Sequence, residues 1–198
     1  MLVNNTKAKK RQTSNVKYVD ALQANHSKLC VVRVDLSYKK PYSGEITLEE
    51  ANKDLNRLLN NRRSKPKIFE HNVGYTIKKE YTEDKGVHLH GVFMFDGQKV
   101  QKDANKADEI GKYWNEQITK DKGTYYNCNR NQYPEHGIGM LDHNDTEKRK
   151  NLDKAIAYLS KDEQHVDSLS DKKEKSFVRG TLPKSKGNIG RPRKESKE

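Results

Sequence analysis

The sequence predicts an α+β domain of the split βαβ, ferredoxin-like kind, an antiparallel sheet with helices on one face and the active site on the open face. Three observations carry this expectation. Segments 29–38, 73–81 and 87–95 (LCVVRVDLSY, VGYTIKKEY, VHLHGVFMF) are β-branched or aromatic with alternating polarity, as strands require. Segments with apolar residues at helical spacing lie between and after them. The order that results, β-α-β-β-α-β and one further helix, is that of the split βαβ motif, whose antiparallel sheet can leave one face uncovered.

Each element has its own signal. Residues 1–28 are polar and basic (KAKKRQTSNVKY), with only Val16, Val19 and Leu22 at apolar spacing; they read as a basic flexible arm or one short helix. After strand 29–38, Thr47 followed by Glu50 forms a capping box. It opens a helix through LEEANKDLNRLLNNRR, with Leu48, Ala51, Leu55, Leu58 and Leu59 on one stripe. TEDKG joins the next two strands, and its Gly86 suits a hairpin turn. A helix over residues 103–120 carries Ala107, Ile110, Tyr113, Trp114 and Ile118. A shorter strand is expected in GTYYN or HGIGML. TEKRKNLDKAIAYLSKDEQ then reads as a helix, with Leu152, Ala155, Ile156 and Leu159 on its apolar face. The division expected is an arm over 1–28, a catalytic domain over 29–170, and a basic, mostly extended tail over 171–198, where few side chains can bury.

Composition narrows the function. Of 198 residues, 31% are apolar and 34% charged, so the core is lean, and no apolar run approaches the length of a membrane span. The N-terminal MLVNNTKAKKRQTSN has no apolar h-region, so no secretory leader is expected. Cys30 and Cys128 are too few and too isolated for a disulfide framework or a zinc knuckle, which points to a reduced, cytoplasmic chain. The 40 Lys and Arg against 28 Asp and Glu give a net charge of +12. Such a surface suits a polyanion, most often nucleic acid.

The hairpin gathers chemistry on one face. Parity places Tyr75, Ile77, Lys79 and Tyr81 with Val87, Leu89, Phe93 and Phe95 under the helices. Thr76, Lys78, Glu80, His88, His90, Val92 and Met94 take the other face. A turn around residues 83–85 sets Glu80 directly across from His88. Two imidazoles and one carboxylate make a facial ligand set with open positions. The mixed set suits Mn²⁺ or Mg²⁺ handling a phosphate better than a closed zinc site. The His-x-His spacing alone fits surface decoration better; Glu80 at matching parity, in a basic chain, is what brings the metal reading level with it. Asp35, at the end of the first strand, is a secondary candidate.

A nucleophile is available as well. Tyr158 and Lys161 are three apart on the last predicted helix and share a side. A tyrosine hydroxyl can attack a phosphodiester covalently, and a nearby ammonium stabilises the developing charge. Packing beside Leu159 is the alternative for Tyr158.

Glu80, then His88-Leu89-His90, then Tyr158-x-x-Lys161 resemble the ordered motifs of the HUH endonucleases, replication initiators and relaxases that nick single-stranded DNA. KEYTEDKGVHLHGVFMFDG resembles the metal-binding hairpin of viral rolling-circle Rep proteins. HLHGVFMFDG, GIGMLD, NLDKAIAYLSKDEQ and SFVRGTLP are similar to the inovirus-type, YfjJ-like phage and prophage replication proteins, over roughly residues 29–193. The resemblance implies a metal-dependent DNA-nicking and joining endonuclease, a hydrolase with one catalytic tyrosine. Tyr158 would form a 5′-phosphotyrosine, Lys161 would assist, and His88, His90 and Glu80 would hold Mn²⁺ or Mg²⁺. The setting implied is rolling-circle replication initiation for a phage, plasmid or mobile element in a bacterial host. The family's first motif is not clear in VVRVDLSYKK, and no GxxxxGK[ST] occurs, so unwinding falls to a host helicase alongside a host polymerase.

Single-stranded or hairpin origin DNA is thus the expected partner, with no membrane. Candidate DNA contacts are Arg179, Arg191, Arg193 and Lys194 in the tail, where GRPRK resembles a minor-groove hook. Tyr125, Tyr126 and Arg130 are further candidates, for base stacking. The alternative function is a non-catalytic regulator that grips an origin hairpin on the same fold.

Overall fold

In a computed structural model, described for residues 2–64, 66–159 and 175–185, the two most apolar strands lie at the centre of a six-stranded antiparallel sheet. β1 (Lys28–Tyr38) pairs with β3 (Gly86–Asp96), and β3 with β2 (Asn72–Thr82). β4 (Gly123–Asn127) and β5 (Gly139–Asp142) follow one another along the other edge of β1. Both segments offered as alternatives for a short strand therefore form one. β6 (Phe177–Arg179), from the stretch read as an extended tail, pairs with the outer edge of β2. The order β4-β1-β3-β2-β6 contains the split βαβ arrangement, so the α+β expectation holds.

One face of the sheet carries α2 (Leu48–Ser64) and α4 (Asp103–Tyr113), with the four-residue α3 (Pro66–Phe69) between α2 and β2. The capping box forms as read. Thr47 N donates to Glu50 Oε2 at 2.9 Å, and Glu50 N to Thr47 Oγ1 at 3.2 Å. Ala51, Leu55 and Leu58 of α2 and Ala107 and Ile110 of α4 pack on Val32, Val34, Leu36, Leu89, Phe93 and Phe95. The helix expected to reach residue 120 becomes a π-helical turn over Trp114–Ile118. There the buried indole donates to Ser37 O at 3.0 Å, and Thr119 Oγ1 takes the Gly123 amide at 2.8 Å.

The second face is not fully open. α1 (Leu2–Asn25) and α5 (Thr146–Leu159) cover one end of it: Tyr18, Val19 and Leu22 from α1 and Leu152, Ile156 and Leu159 from α5 enclose Leu29, Val31, Val92 and Met94. Arg149 of α5 joins the two helices through Asp20 Oδ1 at 2.8 Å. Of the two readings of residues 1–28, a flexible arm or one short helix, residues 2–25 form a helix, longer than expected and packed on the sheet through Tyr18, Val19 and Leu22; one expectation is corrected, because helices lie on both faces. The cause is in the strands. LCVV and VFMF are apolar at consecutive positions, so both of their faces need cover. The polar end of the same face carries Glu80 and the two histidines, the candidate functional groups. Among the described residues no helix is long and apolar enough to cross a membrane.

Candidate metal centre

The hairpin turn sets the site. Gly86 has φ +66°, and a Cβ there would meet Ser43 O at 2.0 Å, so the chain reverses where only glycine fits. The register that follows pairs Glu80 with His88 and Lys78 with His90. β1 adds Asp35 opposite His90, and β4 adds Tyr126 opposite Asp35. Residues paired across antiparallel strands share a face, so Tyr126, Asp35, His90 and Lys78 form one row, with Glu80 and His88 beside it.

Glu80 Oε2 lies 3.0 Å from His90 Nε2 and 3.5 Å from His88 Nε2, and one ligand atom from each of the three lies within 4.8 Å of the others. The outer nitrogens are oriented too. His88 Nδ1 is 3.1 Å from Gly86 O; donating there leaves Nε2 with its lone pair toward the site. His90 Nδ1 is 2.9 Å from Asp35 Oδ1. Lys78, only 5% exposed, places Nζ 2.7 Å from Glu80 Oε1. One carboxylate oxygen of Glu80 thus faces the imidazoles while an ammonium fixes the other.

Electrostatics follow from burial and these contacts. Burial disfavours the Glu80 carboxylate, but His88, His90 and Lys78 outweigh it and hold the group well below the usual carboxylate range. Burial likewise opposes a charge on His90, yet Asp35 and Glu80 prevail and raise it to about 9. The two nitrogens and one oxygen fit a divalent ion, which would take the place of the His90 proton.

The three candidate ligands are therefore brought together. Asp35 and Lys78 complete the cluster; their roles depend on cross-strand register, although Lys78 already had the right parity. Tyr158 lies on the last turn of α5 and is 65% exposed, off the buried stripe of Leu152, Ile156 and Leu159. That stripe packs on Val92 and Met94, which share the β3 face of His88 and His90. Tyr126 is 56% exposed on the site face, and its hydroxyl accepts from Asn131 Nδ2 at 2.8 Å. Tyr125 points to the opposite face, where a Cβ on Gly111 would meet its ring at 2.1 Å. Arg130 is paired with Asp108. Arg179 donates to Ser14 Oγ at 2.9 Å, with its guanidinium 5.0 Å from the centre of the Tyr18 ring. Lys161, Arg191, Arg193 and Lys194 lie outside the described residues. Cys30 and Cys128 are both buried free thiols.

Residues 3–177 match the family model of the YagK/YfjJ C-terminal domain. No curated protein and no solved structure gives a match.

Proposed function

The chain belongs to the YagK/YfjJ C-terminal domain family, and on that premise we propose that it is a metal-dependent endonuclease that nicks and rejoins single-stranded DNA through Tyr158. The observation that carries this reading is the convergence of Glu80, His88 and His90 on one sheet face, the face on which α5, the helix of Tyr158, packs through Leu152, Ile156 and Leu159. The net charge of +12 suits a polyanionic substrate.

Glu80 Oε2 and the Nε2 atoms of His88 and His90 would hold Mn²⁺ or Mg²⁺. Such an ion, when bound, draws electron density from a phosphodiester oxygen and makes phosphorus a better electrophile. The protein's own groups do the rest. Lys78 fixes the Glu80 carboxylate, and Asp35 and the Gly86 carbonyl orient the two rings. The Tyr158 oxygen attacks phosphorus and forms the O–P bond; the bond from phosphorus to the 3′ oxygen breaks, and that oxygen gains a proton as the phenol loses one. A 5′-phosphotyrosine and a free 3′-OH result, and the reverse attack rejoins the strand. Initiation of rolling-circle replication is the setting that suits this chemistry, with a host helicase and polymerase supplying unwinding and synthesis.

A second reading, a non-catalytic DNA-binding regulator, is favoured by one observation: both oxygens of Glu80 have protein partners, Lys78 Nζ at 2.7 Å and His90 Nε2 at 3.0 Å. One experiment separates the two. Protein and its Tyr158→Phe variant are mixed with labelled single-stranded oligonucleotides from the replicon, with Mn²⁺ or EDTA, and resolved on a denaturing gel. A metal-dependent covalent band in the unmodified protein alone supports the nickase. Tight hairpin binding without any covalent band supports the regulator.

A further inference from the structure

We propose that the outer face of α1 grips the phosphate backbone of duplex DNA, as an electrostatic site separate from the metal centre. The helix is anchored through its second half, where Asn15, Tyr18, Val19 and Leu22 are buried. On its other side Lys9, Lys10, Thr13, Ser14 and Lys17 line one hollow of about 390 Å³. Lys9, Thr13 and Lys17 are spaced four apart and stand one above the other, over a rise of about 12 Å. The three lysines are exposed, and none is ion-paired to another described residue.

The sign of the charge sets this helix apart. α1 holds Lys7, Lys9, Lys10, Arg11 and Lys17 against one acidic side chain, Asp20, whose charge is taken up by Arg149 of α5. The other long helices mix signs: Glu49 and Glu50 with Arg62 and Arg63 in α2, Asp103 with Lys112 in α4, and Glu147 with Lys150 in α5. Solubility needs charge but not a single sign; a field of one sign selects a partner of the other. A membrane surface fits poorly, because an interfacial helix needs an apolar face beside its basic one, and Tyr18, Val19 and Leu22 are buried against the sheet. Single strands are held largely by stacking on aromatic rings, and the five side chains of this face include none. A row of ammonium groups carried on one helix face matches a stiff, regularly charged duplex.

This site rests on neither Tyr158 nor a bound ion, so its test is run in EDTA, where failure of the nickase reading leaves it untouched. Fluorescence anisotropy of the full chain with a 20-base-pair duplex is followed from 50 to 200 mM salt, for the unmodified protein and for Lys9→Gln/Lys10→Gln/Lys17→Gln. Three lost phosphate contacts reduce the slope of log K against log salt by roughly 2.7, so the unmodified protein loses about 40-fold more affinity than the variant over that range. The loss is the same for duplexes of unrelated sequence, the triple Lys→Arg variant restores the slope, and the thermal midpoint is unchanged. An unchanged slope in a folded variant overturns the proposal. So does an unmodified protein that ignores duplex DNA, or one whose lysines matter only for binding to phosphatidylserine vesicles.

Discussion

Metal binding at Glu80, His88 and His90 is expected to release a proton, and His90 sets the size of the effect. Its imidazole sits between Asp35 and Glu80 and holds its proton to about pH 9. To become a ligand it must give that proton up. At pH 7, two units lower, the apparent affinity is expected to be about 100-fold weaker than for the deprotonated site. Affinity should rise close to tenfold per unit between pH 7 and 8.5. Asp35→Asn removes one of the two carboxylates that raise His90, so its steep region shifts to lower pH and its affinity at pH 7 improves. Calorimetric titration with Mn²⁺ in buffers of different ionisation heat gives both Kd and the proton count. A flat affinity over that range, or no proton released, would refute the assignment of His90 as ligand. The stability of the metal-free protein changes in the matching sense. The folded-state pKa of His90 is raised, so its contribution is complete below its ordinary value of 6.5 and is lost as pH rises through about 9.

Other perturbations have equally definite outcomes. Glu80→Gln removes the carboxylate that Lys78 and His90 share and is expected to cost about 3–5 kcal/mol in urea unfolding; a neutral result would mean that the other contacts of the two cations suffice. Leu22→Ala, at a position 1% exposed, should cost about 2–5 kcal/mol, and an unchanged unfolding midpoint would show that α1 is not part of the cooperative unit. Gly86→Ala combines a positive φ with a Cβ 2.0 Å from Ser43 O; it should lower the thermal midpoint by more than the about 1–2 kcal/mol of the left-handed conformation alone. Tyr158→Phe, at an exposed position, should stay within about 0.5 kcal/mol of the parent in stability while losing the covalent DNA adduct.

Much of the site is legible in sequence because it is local. Thr47 and Glu50 announce their capping box by spacing, and the alternation of residues 73–95 fixes which hairpin side chains share a face. Glu80 therefore meets His88 as parity requires. What escapes depends on register between segments far apart in the chain. Nothing near Tyr125 and Tyr126 tells which ring turns under α4, because that follows from their pairing with Leu36 and Asp35 of β1. The partners of Arg130 and Arg179, Asp108 and Ser14, are likewise distant. The packing of α1 shows only as the short pattern of Tyr18, Val19 and Leu22 in a polar stretch. Its stronger sign lies elsewhere, in the unbroken apolar runs of β1 and β3, which call for cover on both faces.

The three candidate ligands sit on a single hairpin, Glu80 and His90 only ten residues apart, while the Asp35 that tunes His90 belongs to β1. Gathering the ligands requires closing only a short loop, an event among the fastest in the assembly of a chain. Drawing Asp35 alongside requires long-range strand pairing, which comes slowly. The donor set can therefore exist before the sheet is complete, with only Glu80 of the two carboxylates that raise His90 beside it. A metal ion present during synthesis would meet a nascent hairpin whose His90 is easier to deprotonate than in the finished domain, so the ion is expected to be captured during folding more readily than it is taken up afterwards.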